Sequence, residues 1–165
     1  MEKRTYPVLA EEVLWHQLPN GLPIAVVPRP GFTKKLAYFV TDYGAIHTEF
    51  TLNGESYSAP AGVAHFLEHK MFDLPGRDVM AEFAAMGANP NAFTSYDLTA
   101  YYFSCTDNFE ACLHKGELIN ATRRRTLSSL LRKAMVVTVM AIAGRTSKIR
   151  FNGVGSLPKT VNTET

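Results

Sequence analysis

The chain has 165 residues, of which 46% are apolar and 19% charged, a globular profile long enough for one domain with a core and too short for two full ones. No apolar stretch precedes Glu11-Glu12, and the run from Ala134 to Gly144 is far short of the ~20 apolar residues a membrane span needs. The expectation is therefore a cytoplasmic protein with no secretory signal and no membrane span.

The net charge of +2 hides an asymmetry. Residues 1–120 hold 8 Lys+Arg against 14 Asp+Glu, a balance of −6, whereas residues 121–165 hold 9 Lys+Arg against Glu164 alone, a balance of +8. The break near Asn120 is the strongest composition shift in the chain and divides it into 1–120 and a basic tail, 121–165. Cys105 and Cys112 suggest no disulfide framework and read as reduced thiols.

In chain order, Trp15-His16-Gln17-Leu18, Pro19-Asn20-Gly21 and Leu22 to Val27 predict a β-hairpin, because Asn-Gly favours the positive φ of tight hairpin turns. Lys35 to Tyr43, aromatic and β-branched, predicts a third strand closed by Gly44. His47 to Ser58 is polar and reads as a loop. His16 and His47 fall outside any ligand spacing and read as ordinary histidines.

Ser58 and Pro60 are helix-start residues and predict a helix over 60–72 with Val63, Phe66, Leu67 and Met71 as its apolar stripe. Pro75-Gly76 breaks the chain. Asp78 caps a helix over 78–87, with Val79, Met80, Phe83 and Ala84 buried and Gly87 as its stop. Asn89-Pro90-Asn91 predicts a turn, Ala92 to Ser95 a short strand and Leu98 to Ser104 its neighbour. Asp107 caps a third helix that buries Phe109, Cys112 and Leu113. Residues 134–144 read as a strand or a short buried helix, and 152–165 as a disordered end.

The chemistry is concentrated in His65-Phe66-Leu67-Glu68-His69. Histidines four apart on a helix lie on one face, about 5.4 Å apart along the axis, so their imidazoles can converge on one metal. Glu68 borders that face, where its carboxylate could take a proton from a metal-bound water. The order H-x-x-E-H is the inverzincin signature.

Three stretches together, Gly62 to Phe72, Gly87 to Ser95 and Thr99 to Phe103, resemble the M16 peptidases, the insulinase and pitrilysin-like zinc proteases that include mitochondrial processing peptidase. Phe32 to Gly44 resembles a small bacterial insulinase-like branch. The resemblance covers about residues 10–118. It implies Zn²⁺ held by His65 and His69, Glu68 as the general base, and Asn91, Ala92 and Thr94 as the edge-strand segment along which a peptide or unstructured polypeptide lies as an added strand. The implied fold is α+β, an antiparallel sheet with helices on one face and an M16-like domain that is incomplete.

The third zinc ligand of that family, a glutamate on a later helix, would fall near Gly144, yet residues 118–163 contain no Asp or Glu. Asp73 continues the His65–His69 row, but eight residues of helix span ~12 Å, too far for zinc bonds of ~2 Å. Glu110, Glu117 and Glu164 could serve only in an arrangement the family does not use. The expected function is a zinc metalloendopeptidase. The alternative is an inactive M16-like fragment or subunit that binds peptide or a partner, with a second M16-like chain or domain completing the site. The arginines of the basic segment are not interleaved with aromatics beyond Phe151, which argues against nucleic acid.

Overall fold

The structure, a computed structural model, describes residues 2–18, 22–52, 54–116 and 139–143. Strands Glu2–Tyr6 (β1), Glu11–Gln17 (β2), Pro23–Pro28 (β3), Lys35–Thr41 (β4), Ala88–Thr94 (β9), Thr99–Cys105 (β10) and Val139–Ala143 (β11) form a seven-stranded sheet. Its order is β1-β2-β3-β11-β4-β10-β9. Every pairing is antiparallel except that of β11 with β3, which is parallel. Two small hairpins, Glu49–Leu52 with Glu55–Ser58 (β5, β6) and Asp73–Leu74 with Arg77–Asp78 (β7, β8), stand outside the main sheet.

Helices Val63–Phe72 (α1), Val79–Ala85 (α2) and residues 109–116 (α3) cover one face of the sheet. Alternation along the strands sends Ile24 and Val26 of β3, Ala37 and Phe39 of β4, Ala88 of β9, and Phe103 and Cys105 of β10 into one core. Val79, Phe83, Phe109, Cys112 and Leu113 meet them from the helices. Phe103 packs against Phe83 and Phe109, with ring centroids 5.5 and 5.6 Å away. On the opposite face Tyr38 and Tyr102 stack at 4.9 Å. This is the expected α+β layer with helices on one face.

The hairpin expected at 15–27 is present, with Leu14 opposite Val26 and Gln17 opposite Pro23, although its turn at 19–21 lies outside the described residues. Asp78 caps α2 by accepting from the Ala81 N–H at 2.9 Å, and Gly87 ends it at φ 76°. The buried side of α2 is Val79 and Phe83; Met80 and Ala84 are exposed. The third helix begins after Asn108, whose carbonyl accepts from the Cys112 N–H at 3.0 Å, one residue later than an Asp107 cap implies.

Several expectations give way. His47 to Ser58 is not a plain loop, because β5 and β6 pair across it with Phe50 opposite Tyr57, their rings 5.7 Å apart. Asn89-Pro90-Asn91 is not a turn but the first half of β9. Proline is tolerated there because β9 is the sheet edge, where an absent N–H leaves no neighbouring carbonyl unpaired. Helix α1 starts at Val63 rather than at Pro60, since Gly62 sits at φ 91° and supplies the first helical acceptor, to the Phe66 N–H at 2.9 Å. Strand β1 was hidden in the sequence because all its side chains are exposed and no alternation marks it.

Residues 139–143 of the basic segment form β11, between β3 and β4. The rest of 121–165, including the stretch read as a disordered end, lies outside the described residues. Among the described residues no helix is long and apolar enough to cross a membrane.

Candidate metal centre and peptidase site

Helix α1 lies over β9 and β10 with Ala64, Glu68 and Met71 buried. The face against the sheet is therefore the one that carries the glutamate. Phe66, expected in the apolar stripe, points outward and is 59% exposed, with Lys70 Nζ 5.9 Å above its ring. His65 and His69 share the exposed side. Their Nε2 atoms face each other at 3.0 Å.

Glu68 is only 9% exposed. Its Oε2 accepts a hydrogen bond from Thr94 Oγ1 at 2.7 Å. Thr94 Oγ1 lies 3.3 Å from Thr99 Oγ1, which donates to the Tyr43 carbonyl at 2.9 Å. Thr99 and the Tyr43 carbonyl were not singled out in the sequence; the signal available was that Thr99 shares the inward parity of Tyr101 and Phe103 in β10. Burial, and secondarily the nearby Glu68 charge, raise the Tyr101 phenol above its ordinary range.

The loop below is fastened by backbone. Ala45 and Ile46 N–H donate to the Ser95 and Tyr96 carbonyls, each at 2.9 Å, and the Ser95 N–H closes the β9–β10 turn on the Leu98 carbonyl at 2.8 Å. Gly44 fits there because it lacks a side chain: a Cβ would lie 2.5 Å from Leu98 N and Tyr96 O. Its N–H donates to His47 Nδ1 at 2.8 Å, the ordinary structural role expected for that histidine. His16 pairs opposite Ile24 in the sheet, away from the His65–His69 pair in the fold as in the sequence.

Of the predicted substrate residues, all three lie on β9, the edge strand among the described residues. The Ala92 N–H donates to Asn91 Oδ1 at 2.8 Å, so this edge donor is held by its neighbour's side chain. Asn91 is exposed and Ala92 half-buried. Thr94, by contrast, directs its hydroxyl at Glu68.

The two histidines fit a metal. Nitrogens sharing a tetrahedral zinc at ~2.05 Å lie roughly 3.3 Å apart, close to the spacing found. A third ligand does not join them. Among the described residues no group of three His, Cys, Asp or Glu side chains could hold an ion. Glu110 is described and stands apart from the pair; Glu117 and Glu164 lie outside the described residues.

The α+β layer thus carries H-x-x-E-H on a helix packed across β9 and β10. Residues 54–114 match the family described as Insulinase (Peptidase family M16). The chain is 47% identical over 103 residues to the uncharacterized zinc protease YmfH of Bacillus subtilis, covering 61% of this chain and 24% of that one. It is 34% identical over 102 residues to mitochondrial-processing peptidase subunit beta of Caenorhabditis elegans, covering 59% and 20%. An M16-like peptidase from Alicyclobacillus acidocaldarius superposes with a TM-score of 0.62 at 37% identity, over 70% of this chain and 30% of the other. Pitrilysin, at 21% identity and a TM-score of 0.53, shares the fold. The chain thus spans about a quarter of the length of the curated relatives it matches.

Proposed function

We propose that this chain carries the zinc-motif part of a metalloendopeptidase that hydrolyses peptide bonds in unstructured polypeptides. The observation that carries the reading is the pairing of two facing imidazole nitrogens, 3.0 Å apart, with a fixed carboxylate one residue from the second histidine. His65 and His69 would hold the ion. Zinc in that position supplies a polarised scissile carbonyl and a water acidified toward a pKa of ~7. Glu68 takes the proton from the attacking water and passes it to the leaving amine. The Thr94 bond fixes one carboxylate oxygen and leaves the other for that work. The substrate strand adds to the β9 edge through main-chain hydrogen bonds, which tolerate many sequences, with Asn91 releasing the Ala92 N–H to it.

Zinc stoichiometry on the purified chain, followed by cleavage of an unstructured peptide, tests this. The expectation is zinc binding that His65→Ala weakens at least tenfold, and cleavage that Glu68→Gln abolishes while zinc stays bound. Zinc binding indifferent to His65→Ala would sink the reading.

A second reading has its own observation, the absence of a third ligand beside His65 and His69 among the described residues. Under it the chain binds peptide or a partner at the β9 edge without cutting. Peptide binding with no zinc-dependent cleavage would select this reading.

A further inference from the structure

The spacing of Cys105 and Cys112 suggests no disulfide framework, yet the fold makes them neighbours. Both are buried, at 3% and 0% exposure, in one cluster with Phe103, Phe109 and Leu113. Cys105 is the last residue of β10, and Cys112 lies one turn into α3. Each thiol acts on the other as a hydrogen-bond partner, so the two sulfurs meet where strand and helix join.

The short connection between them is pinned along its length. Cys105 pairs with Lys35 of β4 on one side and Ala88 of β9 on the other. Lys35 Nζ donates to the Thr106 carbonyl at 3.0 Å, and Asn108 Nδ2 donates to the Met86 carbonyl at 3.2 Å. The Cys112 N–H then donates to the Asn108 carbonyl at 3.0 Å. Strand, loop and first helical turn therefore hold the sulfurs face to face.

We propose that Cys105 and Cys112 are a disulfide-forming pair, a covalent modification site that fastens α3 to the end of β10. The oxidant is a low-molecular-weight disulfide such as oxidised glutathione. One cysteine thiolate attacks it, forming a mixed disulfide and releasing one small thiol. The second cysteine thiolate attacks that mixed disulfide at the protein sulfur and releases the other small thiol. Two protein S–H groups and one reagent S–S bond become one protein S–S bond and two small thiols, so the chain loses two protons and two electrons. Burial first, and the facing Cys112 next, raise the Cys105 thiol, and burial raises Cys112, so the reduced folded protein presents little thiolate. The exchange therefore belongs to the folding chain, before α3 closes over β10. Once made, the bond is shielded from reductant by the same core.

Refolding the 165-residue chain from denaturant in a glutathione redox buffer, beside refolding in reductant, tests this. The expected product is a monomer lighter by about 2 Da, the two hydrogens lost in the exchange. It shows no free thiol in denaturant, whereas the reduced chain shows both. Its melting midpoint stands about 5–10 °C above that of the reduced chain, the gain a short closed ring gives. This comparison needs no substitution. Cys105→Ala and Cys112→Ala serve as controls, each with one midpoint in both buffers. Free thiols that persist after oxidative refolding, glutathione retained on either cysteine, or cross-links between chains each overturn the pairing. A cross-linked chain that melts at or below the reduced one overturns it too. The peptidase reading stands or falls separately from all of these.

Discussion

Thr94 Oγ1 donates to Glu68 Oε2 across 2.7 Å, joining the edge strand to the buried side of the metal-motif helix. A hydroxyl has one proton to give. Thr94 gives its proton to the glutamate, and Thr99 gives its own to the Tyr43 carbonyl. The carboxylate is thus held by β9, and that strand is held in turn by β10.

Thr94→Val removes the donor and leaves a nearly buried carboxylate oxygen unpaired, at a cost of about 1–3 kcal/mol. Thr94→Ser restores the hydroxyl and recovers most of that loss. Urea unfolding of both variants measures it. Destabilisation by Ser with little or none by Val would mean that packing of the methyl, not the hydrogen bond, is what Thr94 contributes.

Gly44→Ala places a Cβ 2.5 Å from backbone atoms of Tyr96 and Leu98, which cannot swing aside as a side chain can. The loop and the β9–β10 turn must separate, for a loss of roughly 3 kcal/mol. A thermal melt within a degree or two of the unsubstituted chain would contradict this close approach.

Glu82 ties α2 to its surroundings through Arg77, at 2.6 Å, and Lys115, at 2.7 Å. The Arg77 hydrogen bond first, and the Lys115 hydrogen bond next, lower its carboxyl from 4.5 to about 2. A depressed folded-state pKa contributes stability that is present above 4.5 and lost as pH falls toward 2. Glu82→Gln flattens that part of the stability profile. Chemical unfolding at a series of acid pH values checks it, and an unchanged slope would rule the network out as its source.

Cys105 and Cys112 are both buried, and burial pushes the Cys105 thiol up to about 11, with Cys112 raised for the same reason. Both stay protonated and unreactive at pH 8 in the folded protein. A disulfide reagent is expected to titrate neither thiol natively and both in denaturant. Rapid native labelling would contradict this burial.

What the sequence made legible was whatever has a local cause. Asp78 announced α2 through its cap, Asn20-Gly21 announced the hairpin between β2 and β3, and the aromatic run Tyr38-Phe39 announced β4. Elements without such a cause were missed. Strand β1 is exposed on every residue, held by the Lys3–Glu12 ion pair at 2.6 Å and by Arg4 lying 5.2 Å over Trp15. The hairpin of β5 and β6 is the exception, a local Asn53-Gly54 turn signal passed over because the stretch around it is polar. Pro90 argued for a turn because only the sheet order reveals that its strand is an edge.

The site divides the same way. His65 and His69 were readable because helical spacing alone makes them neighbours. The helix's inward side was readable only in part: Met71 is buried as the apolar stripe implied, but Phe66 faces outward and packing buries Ala64 and Glu68 instead. The Thr94–Glu68 bond spans 26 residues and depends on how α1 is laid across β9, which no local pattern specifies.

Strand β11 sits between β3 and β4 but is the last of the seven in the chain. By Cys105 the other six have all been made, as two three-stranded sheets, β1-β2-β3 and β4-β10-β9, whose inner edges have nothing to pair with. During synthesis the nascent chain therefore carries two open seams until Val139–Ala143 emerges to close both at once. Non-local closure of this kind is slow, and unpaired inner strands are where aggregation begins. A product that stopped short of Val139 would keep the whole H-x-x-E-H helix and lose the strand that joins the two halves.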